Sequence, residues 1–221
     1  MNIEQARFNM IEQQIRPWDV LDAGVLQLLS VIKREDFCPA PHKALAFVDM
    51  EIPLGSPAVP GETMLAPKVE ARLLQDLMVQ KHEKVLEVGT GSGYMAALLA
   101  HRAQQVTTLE INPALAETAR ANLRRAGVHN AQVLVADGAA GLPAQGPFDV
   151  IVLSGSVAEV PPALLAQLKV GGRLAAIVGQ EPVMRATFYT RGSEAGFHSV
   201  SPWDTLAPRL LHFPEPSKFS F

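Results

Sequence analysis

The chain has 221 residues, 48% of them apolar and 19% charged, enough apolar matter for a sizeable core and too much for a mainly disordered protein. Its 19 Lys and Arg against 22 Asp and Glu give a net charge of -3, without the basic surplus that nucleic-acid binding demands, so no nucleic-acid partner is expected. No apolar run reaches the roughly 18 residues of a membrane helix, the start MNIEQARFNM lacks a signal-peptide core, and Cys38 has no internal partner. A cytoplasmic protein without membrane contact is the expectation.

Ile3, Met10, Ile11 and Ile15 share one helical face up to Pro17, and Leu21, Val25, Leu28, Leu29 and Ile32 form a second stripe. Residues 53–67 hold four prolines and two glycines, which points to a long ordered loop or lid. A helix is expected from about Lys68, carrying Val69, Leu73, Leu74, Leu77 and Met78. Short apolar runs then alternate with helical stretches. The predicted strands are Val85–Val88, Val106–Glu110, Gln132–Val135, Phe148–Leu153 and Arg173–Val178, with helices near 94–103, 113–126 and 161–168. That alternation gives an α/β fold, a doubly wound and mostly parallel sheet with helices on both faces. Past Gly179 two strands, 183–190 and 208–213, are expected to form an antiparallel edge pair. Phe219 and Phe221 of the tail order only against an apolar surface.

The stretch Val85-Leu86-Glu87-Val88-Gly89-Thr90-Gly91-Ser92-Gly93-Tyr94 runs a predicted strand through three alternating glycines into a helix. Glycines there let backbone approach a ligand. The spacing differs from the dinucleotide fingerprint and no phosphate-loop Lys follows, so a pyrophosphate is not the expected guest. Glu87, near the end of the first strand, can receive an ammonium group. Glu110, ending the second, can accept from both ribose hydroxyls, and Asp137, followed by Gly138 after the third, from an exocyclic amine. The three describe a phosphate-free nucleoside with a cationic tail, which S-adenosylmethionine fits. The reading is one domain over 1–221: a helical part at 1–80 containing the 53–67 loop, a cofactor-binding core at 81–180, and C-terminal strands and tail at 181–221.

The chain from about residue 5 to 180 resembles bacterial protein-L-isoaspartate O-methyltransferases, the repair enzymes that methylate isoaspartyl carboxylates in damaged proteins. The resemblance rests on Met10-Ile11-Glu12-Gln13-Gln14-Ile15-Arg16, Arg34-Glu35-Asp36-Phe37-Cys38-Pro39, Ala46-Phe47-Val48-Asp49 and the glycine stretch. Phe148-Asp149-Val150-Ile151 and Leu168-Lys169-Val170-Gly171-Gly172-Arg173-Leu174 are shared more widely among methyltransferases. It implies a Rossmann-like methyltransferase fold, with Gly89, Thr90, Gly91 and Gly93 at the methionine portion, Glu110 at the ribose, Asp137 and Gly138 at the adenine end, and Ser154 on the site floor. The family's substrate loop reads Thr-Ile-Ser-Gln-Pro; here it is Thr63-Met64-Leu65-Ala66-Pro67, so a hydroxyl and an amide are missing.

A sulfonium methyl is already activated and a carboxylate acceptor is ionised at neutral pH, so positioning is the main requirement. Thr63 is the candidate catalytic donor, and Thr63, Met64 and Leu65 the candidate acceptor contacts. The expected acceptor is a protein or peptide carboxylate, with the enzyme a monomer or homodimer. Leu65 and Ala66 motivate two alternatives: a smaller or more apolar acceptor, or a non-catalytic S-adenosylmethionine-binding protein. The six histidines lack ligand spacing, so no metal is expected. Cys38, Trp18 and Trp203 read as packing residues, and Arg120, Arg124 and Arg125 as a solvated helix face.

Overall fold

The structure is a computed structural model that describes residues 2–55, 58–194 and 196–215. Phe219 and Phe221 lie outside the described residues. The N-terminal part begins with α1 (Ile3–Met10), where the Asn2 side chain accepts from the Gln5 N–H at 3.2 Å. It continues as a π-helical turn over Ile11–Ile15 and a 3-10 turn over Arg16–Trp18, where Pro17 ends the regular ladder. Asp22 caps α2 (Ala23–Val31), accepting from Val25 N–H at 2.7 Å. Two 3-10 stretches, Arg34–Asp36 and Ala40–Phe47, continue this helical part. The 53–67 loop is closed at its base by a two-residue antiparallel ladder, β1 (Ile52–Pro53) with β2 (Thr63–Met64).

After α3 (Pro67–Leu77) the predicted alternation follows: β3 (Lys84–Val88), α4 (Tyr94–Arg102), β4 (Gln105–Glu110), α5 (Pro113–Arg125), β5 (Ala131–Val135), β6 (Phe148–Val157), α6 (Pro162–Leu165), β7 (Leu168–Gln180), β8 (Val183–Arg191) and β9 (Phe197–Asp204). The sheet order is β5-β4-β3-β6-β7-β8-β9, parallel from β5 to β7 and antiparallel beyond. Chain order reverses between β3 and β6, where ligands enter open α/β sheets. Alternate residues separate the two faces. Val85, Val106, Val150, Val152 and Ile177 share a core with residues of α2 to α5. Leu86, Val88, Leu109, Ile151, Leu153 and Leu174 face the other way, with Leu164 of α6 and Phe213. The helix expected at 161–168 is thus only four residues long.

The final strand departs from expectation. The strand pairing with β8 is Phe197–Asp204, not 208–213. Pro202 weakens the strand pattern in the sequence, but an edge strand tolerates it, and the register slips beside it, between the pairs of Ala186 and Phe188. Residues 205–213 instead form an arm across the carboxyl ends of the parallel strands. It is fastened to the overhanging end of β6: Ser156 N–H donates to Pro208 O at 2.7 Å and Leu210 N–H to Ser156 O at 2.9 Å. Arg120 and Arg125 are also braced rather than simply solvated, donating to Val133 O (2.8 Å) and Asp36 O (2.7 Å).

Candidate functional site

The loop from β3 into α4 is held in place by β4. Gly89 and Gly91 take φ of 93° and 53°, conformations that side chains rarely adopt. Gly89 N–H donates to Leu109 O at 2.9 Å, and Gly91 N–H to the Glu110 carboxylate at 2.8 Å. The other Glu110 oxygen accepts from Asn112 N–H at 3.0 Å. The Glu110 carboxyl therefore staples the turn after β3 to the turn after β4, while its remaining lone pairs face the cleft.

That cleft encloses a volume of about 160 Å³. Gly89, Gly91, Glu110, Asp137, Gly138 and Ser154 line it, as does Thr63. They come from the carboxyl ends of four adjacent strands and from the 53–67 loop, which forms a roof through Leu54 and residues 59–63. Glu62 fastens this roof, accepting from Asn112 Nδ2 at 2.7 Å. Asp137 accepts from Ala139 N–H at 3.0 Å and meets His212 Nδ1 at 2.6 Å. The Ala139 N–H and then His212 hold its carboxyl below the ordinary range.

Five predicted site residues sit elsewhere. Glu87 is fully buried: it pairs with Thr108, two residues below the level of Glu110 on the same face, while Val88, one residue on, lines the cleft. It accepts from Ser154 Oγ and Thr108 Oγ1, each at 2.7 Å. Burial pushes its pKa up to about 7 against the opposing pull of those two bonds. Glu87 reaches the cleft only through Ser154, and direct receipt of a ligand ammonium is not open to it. Thr90 is buried in the same network, 2.6 Å from Thr108 Oγ1. Gly93 caps α4, and a Cβ on it would stand 3.3 Å from the Ala119 Cβ, so it serves helix packing. Met64 and Leu65 are buried in the core, where Leu65 O accepts from Arg34 Nη2 at 3.0 Å. Thr63 lines the cleft, but its hydroxyl bonds Glu51 at 3.4 Å.

Sequence reasoning missed Asn112 and the whole 209–213 arm. Asn112 was legible as a helix cap, since Asn-Pro opens α5, but its bond to Glu62 spans fifty positions. Leu210 packs over the glycine turn, its Cδ2 2.9 Å from where a Gly89 Cβ would stand. Trp18 and Trp203 lie away from the cleft, Trp18 beneath the Lys68 ammonium and Trp203 donating to Asp76 at 2.9 Å. Cys38 is buried, and desolvation pushes its thiol up to about 11.

The residues fit a nucleoside carrying a cation. Acidic acceptors stand at the ends of β4 and β5, no cluster of donors is set for phosphate among the described residues, and the glycine turn leaves room for close backbone approach. Comparison with known proteins gives the same direction. The profile of the family Protein-L-isoaspartate(D-aspartate) O-methyltransferase (PCMT) matches residues 5–202. A protein-L-isoaspartate O-methyltransferase of Methanoculleus marisnigri is 42% identical over 78% of this chain and 77% of its own. Protein-L-isoaspartate O-methyltransferase 1 of Syntrophobacter fumaroxidans is 37% identical over 90% of this chain and 91% of its own. Among solved structures, a protein-L-isoaspartate O-methyltransferase superposes with a TM-score of 0.76 at 24% identity, covering 93% of this chain, which spans 65% of that one. A Plasmodium falciparum structure, described as a putative protein-L-isoaspartate O-methyltransferase in complex with S-adenosyl-L-homocysteine, gives 0.74 at 18% identity over 92% of this chain and 97% of its own. At these identities the two structures speak for the fold.

Proposed function

The chain belongs to the protein-L-isoaspartate O-methyltransferase family, and from that premise we propose that its cleft holds S-adenosylmethionine along β3, β4 and β5 and presents it to an isoaspartyl carboxylate of a damaged protein. The enzyme is an S-adenosylmethionine-dependent methyltransferase. The observation that carries the site assignment is the row of Gly89 and Gly91, Glu110, then Asp137 and Gly138 around one roofed cleft, in strand order away from the β3/β6 reversal.

In this reading Glu110 accepts from the ribose hydroxyls and Asp137 with Gly138 borders the adenine. Ser154 presents its oxygen to the ammonium, and Gly89 and Gly91 give the methionine portion its backbone floor. The cofactor supplies a sulfonium methyl whose departure leaves a neutral thioether. The chain's own task is to hold a carboxylate in line with it and exclude water, where orientation dominates the barrier. Residues 59–63 and the 209–213 arm meet over the cleft and supply that exclusion. Thr63 stands at the acceptor side, within a roof held by the Glu62–Asn112 bond.

The loop's departure from the family sequence does not favour a more apolar acceptor. Leu65 points into the core and Ala66 packs against that core, so the change removes a hydroxyl without greasing the cleft. The test is methyl transfer from labelled S-adenosylmethionine to an isoaspartyl peptide, with the normal aspartyl peptide as control. Labelling confined to the isoaspartyl peptide is expected. Tight cofactor binding without labelling of either peptide would refute the acceptor assignment.

A further inference from the structure

Among the described residues that line the cleft, Arg209 is the one basic side chain. Two of its three nitrogens are anchored. Nε pairs with Glu215 Oε1 at 2.9 Å, and Nη2 donates to Gly179 O at 2.9 Å, at the end of β7. The third, Nη1, is buried and has no hydrogen-bond partner among the described residues. A guanidinium fixed at two corners with its last donors left over resembles a site awaiting an acceptor, because burying an unpaired charged donor is strongly unfavourable.

Its position says which acceptor. Glu110 and Asp137 lie on the β4 and β5 side of the chain-order reversal, with the glycine turn of β3 beside it. Arg209 lies on the other side. Its backbone bridges Ser156 at the overhang of β6, and its side chain reaches the end of β7. Its carbonyl stands 3.9 Å from where a Gly61 Cβ would be, so it faces the roof loop rather than the nucleoside end. That roof offers no charged donor of its own: Thr63 bonds Glu51, and Leu65 is turned into the core.

Resting on the acceptor reading above, we propose that Arg209 is the residue that binds the acceptor's carboxylate, filling the place of the donors that the 63–67 loop lacks. One carboxylate oxygen takes the Nη1 hydrogens. The other forms the new O–CH3 bond while the methyl–sulfur bond breaks and its electron pair stays on sulfur; no proton moves. The planar fork of arginine suits this better than a lysine point charge, since it fixes the carboxylate plane as well as its position.

The test compares wild type, Arg209→Gln and Arg209→Lys in steady-state methylation of an isoaspartyl peptide at saturating cofactor, with S-adenosylhomocysteine binding measured by calorimetry. Arg209→Gln is expected to raise the peptide KM at least tenfold while the S-adenosylhomocysteine Kd stays within twofold of wild type. Arg209→Lys is expected to fall between them, and it carries the test if the glutamine variant does not fold. A peptide KM within twofold of wild type in both variants would overturn the proposal. So would a loss of S-adenosylhomocysteine affinity as large as the rise in KM, which would place Arg209 on the cofactor. Wild type that binds S-adenosylhomocysteine yet never labels the isoaspartyl peptide would remove the acceptor reading and this proposal with it. An active wild type with unchanged variants would remove this proposal alone.

Discussion

Gly138→Ala isolates the tightest approach between two walls of the cleft. Gly138 lies against Val88, the last residue of β3 and the one before the glycine turn, and a Cβ added to it would stand 2.2 Å from Val88 Cγ1. Ordinary carbon contacts are about 3.5–4.0 Å, so the overlap exceeds an ångström. Rotation of Val88 gives no relief, because its Cβ and Cγ2 are both already 3.2 Å away. Gly138 does not adopt a positive φ, which leaves sterics as the only penalty. Overpacking of this kind costs about 3 kcal/mol. For a chain of this size that is a fall in Tm of roughly 6–12 °C. Val88→Ala removes two buried methyls and costs about 2 kcal/mol by itself. In the double variant the new methyl occupies space that Val88 vacates, so the two losses should fall short of their sum by about 2 kcal/mol. Urea unfolding of the four proteins measures this. Additivity within about 0.5 kcal/mol would refute the packing argument.

Two further outcomes follow from groups in and behind the cleft. Glu110→Ala removes the acceptor of two backbone N–H bonds and the proposed ribose contact, so calorimetry should show S-adenosylhomocysteine binding weakened by tenfold or more; wild-type affinity would contradict the assignment. Glu70 is buried with Oε2 unpartnered among the described residues, and desolvation first, then the charge of Glu87, raises its pKa to about 8 against the pull of Arg34. A carboxyl with a raised folded pKa stabilises the fold fully below its unfolded value and loses that contribution as pH climbs through 8. The unfolding free energy of wild type should therefore fall relative to Glu70→Gln between pH 5 and pH 9, by up to about 4 kcal/mol, and a gap that does not change with pH would contradict the burial argument.

The parallel sheet was legible because its strands are short apolar runs, most of them with a glycine or an acidic residue at or just beyond the end, and pattern alone brings such ends to one edge. What a strand end does next was not legible. Glu87 and Glu110 look alike in sequence, each close to a strand terminus. Glu110 lies one residue beyond the level of Val88 and reaches the cleft, whereas Glu87 pairs with Thr108, two residues deeper on the same face of the sheet, and is buried there. Alternation along a strand does separate Thr63, on the cleft, from Met64 in the core. The arm was invisible for another reason. Its fastening to Ser156 depends on β6 outrunning its neighbour β3 by several residues, a property of the assembled sheet. Arg209 is held by Gly179 and Glu215, neither of which marks a site by composition.

A count of hydrogens along the polar row behind the glycine turn has its own consequence. Each hydroxyl carries one hydrogen to give. With Glu87 ionised, Thr108 gives its hydrogen to one carboxylate oxygen and Ser154 gives its own to the other. Thr90 must then be the giver in its short contact with Thr108, so all three point inward. Ser154 is left with lone pairs alone toward the cleft, and at that spot the wall can welcome a donor such as an ammonium and has nothing to offer an anion. A proton taken up by Glu87 frees one hydroxyl to turn outward and relaxes that discrimination. The polarity of the cleft floor is thus written in a single shared proton beneath it.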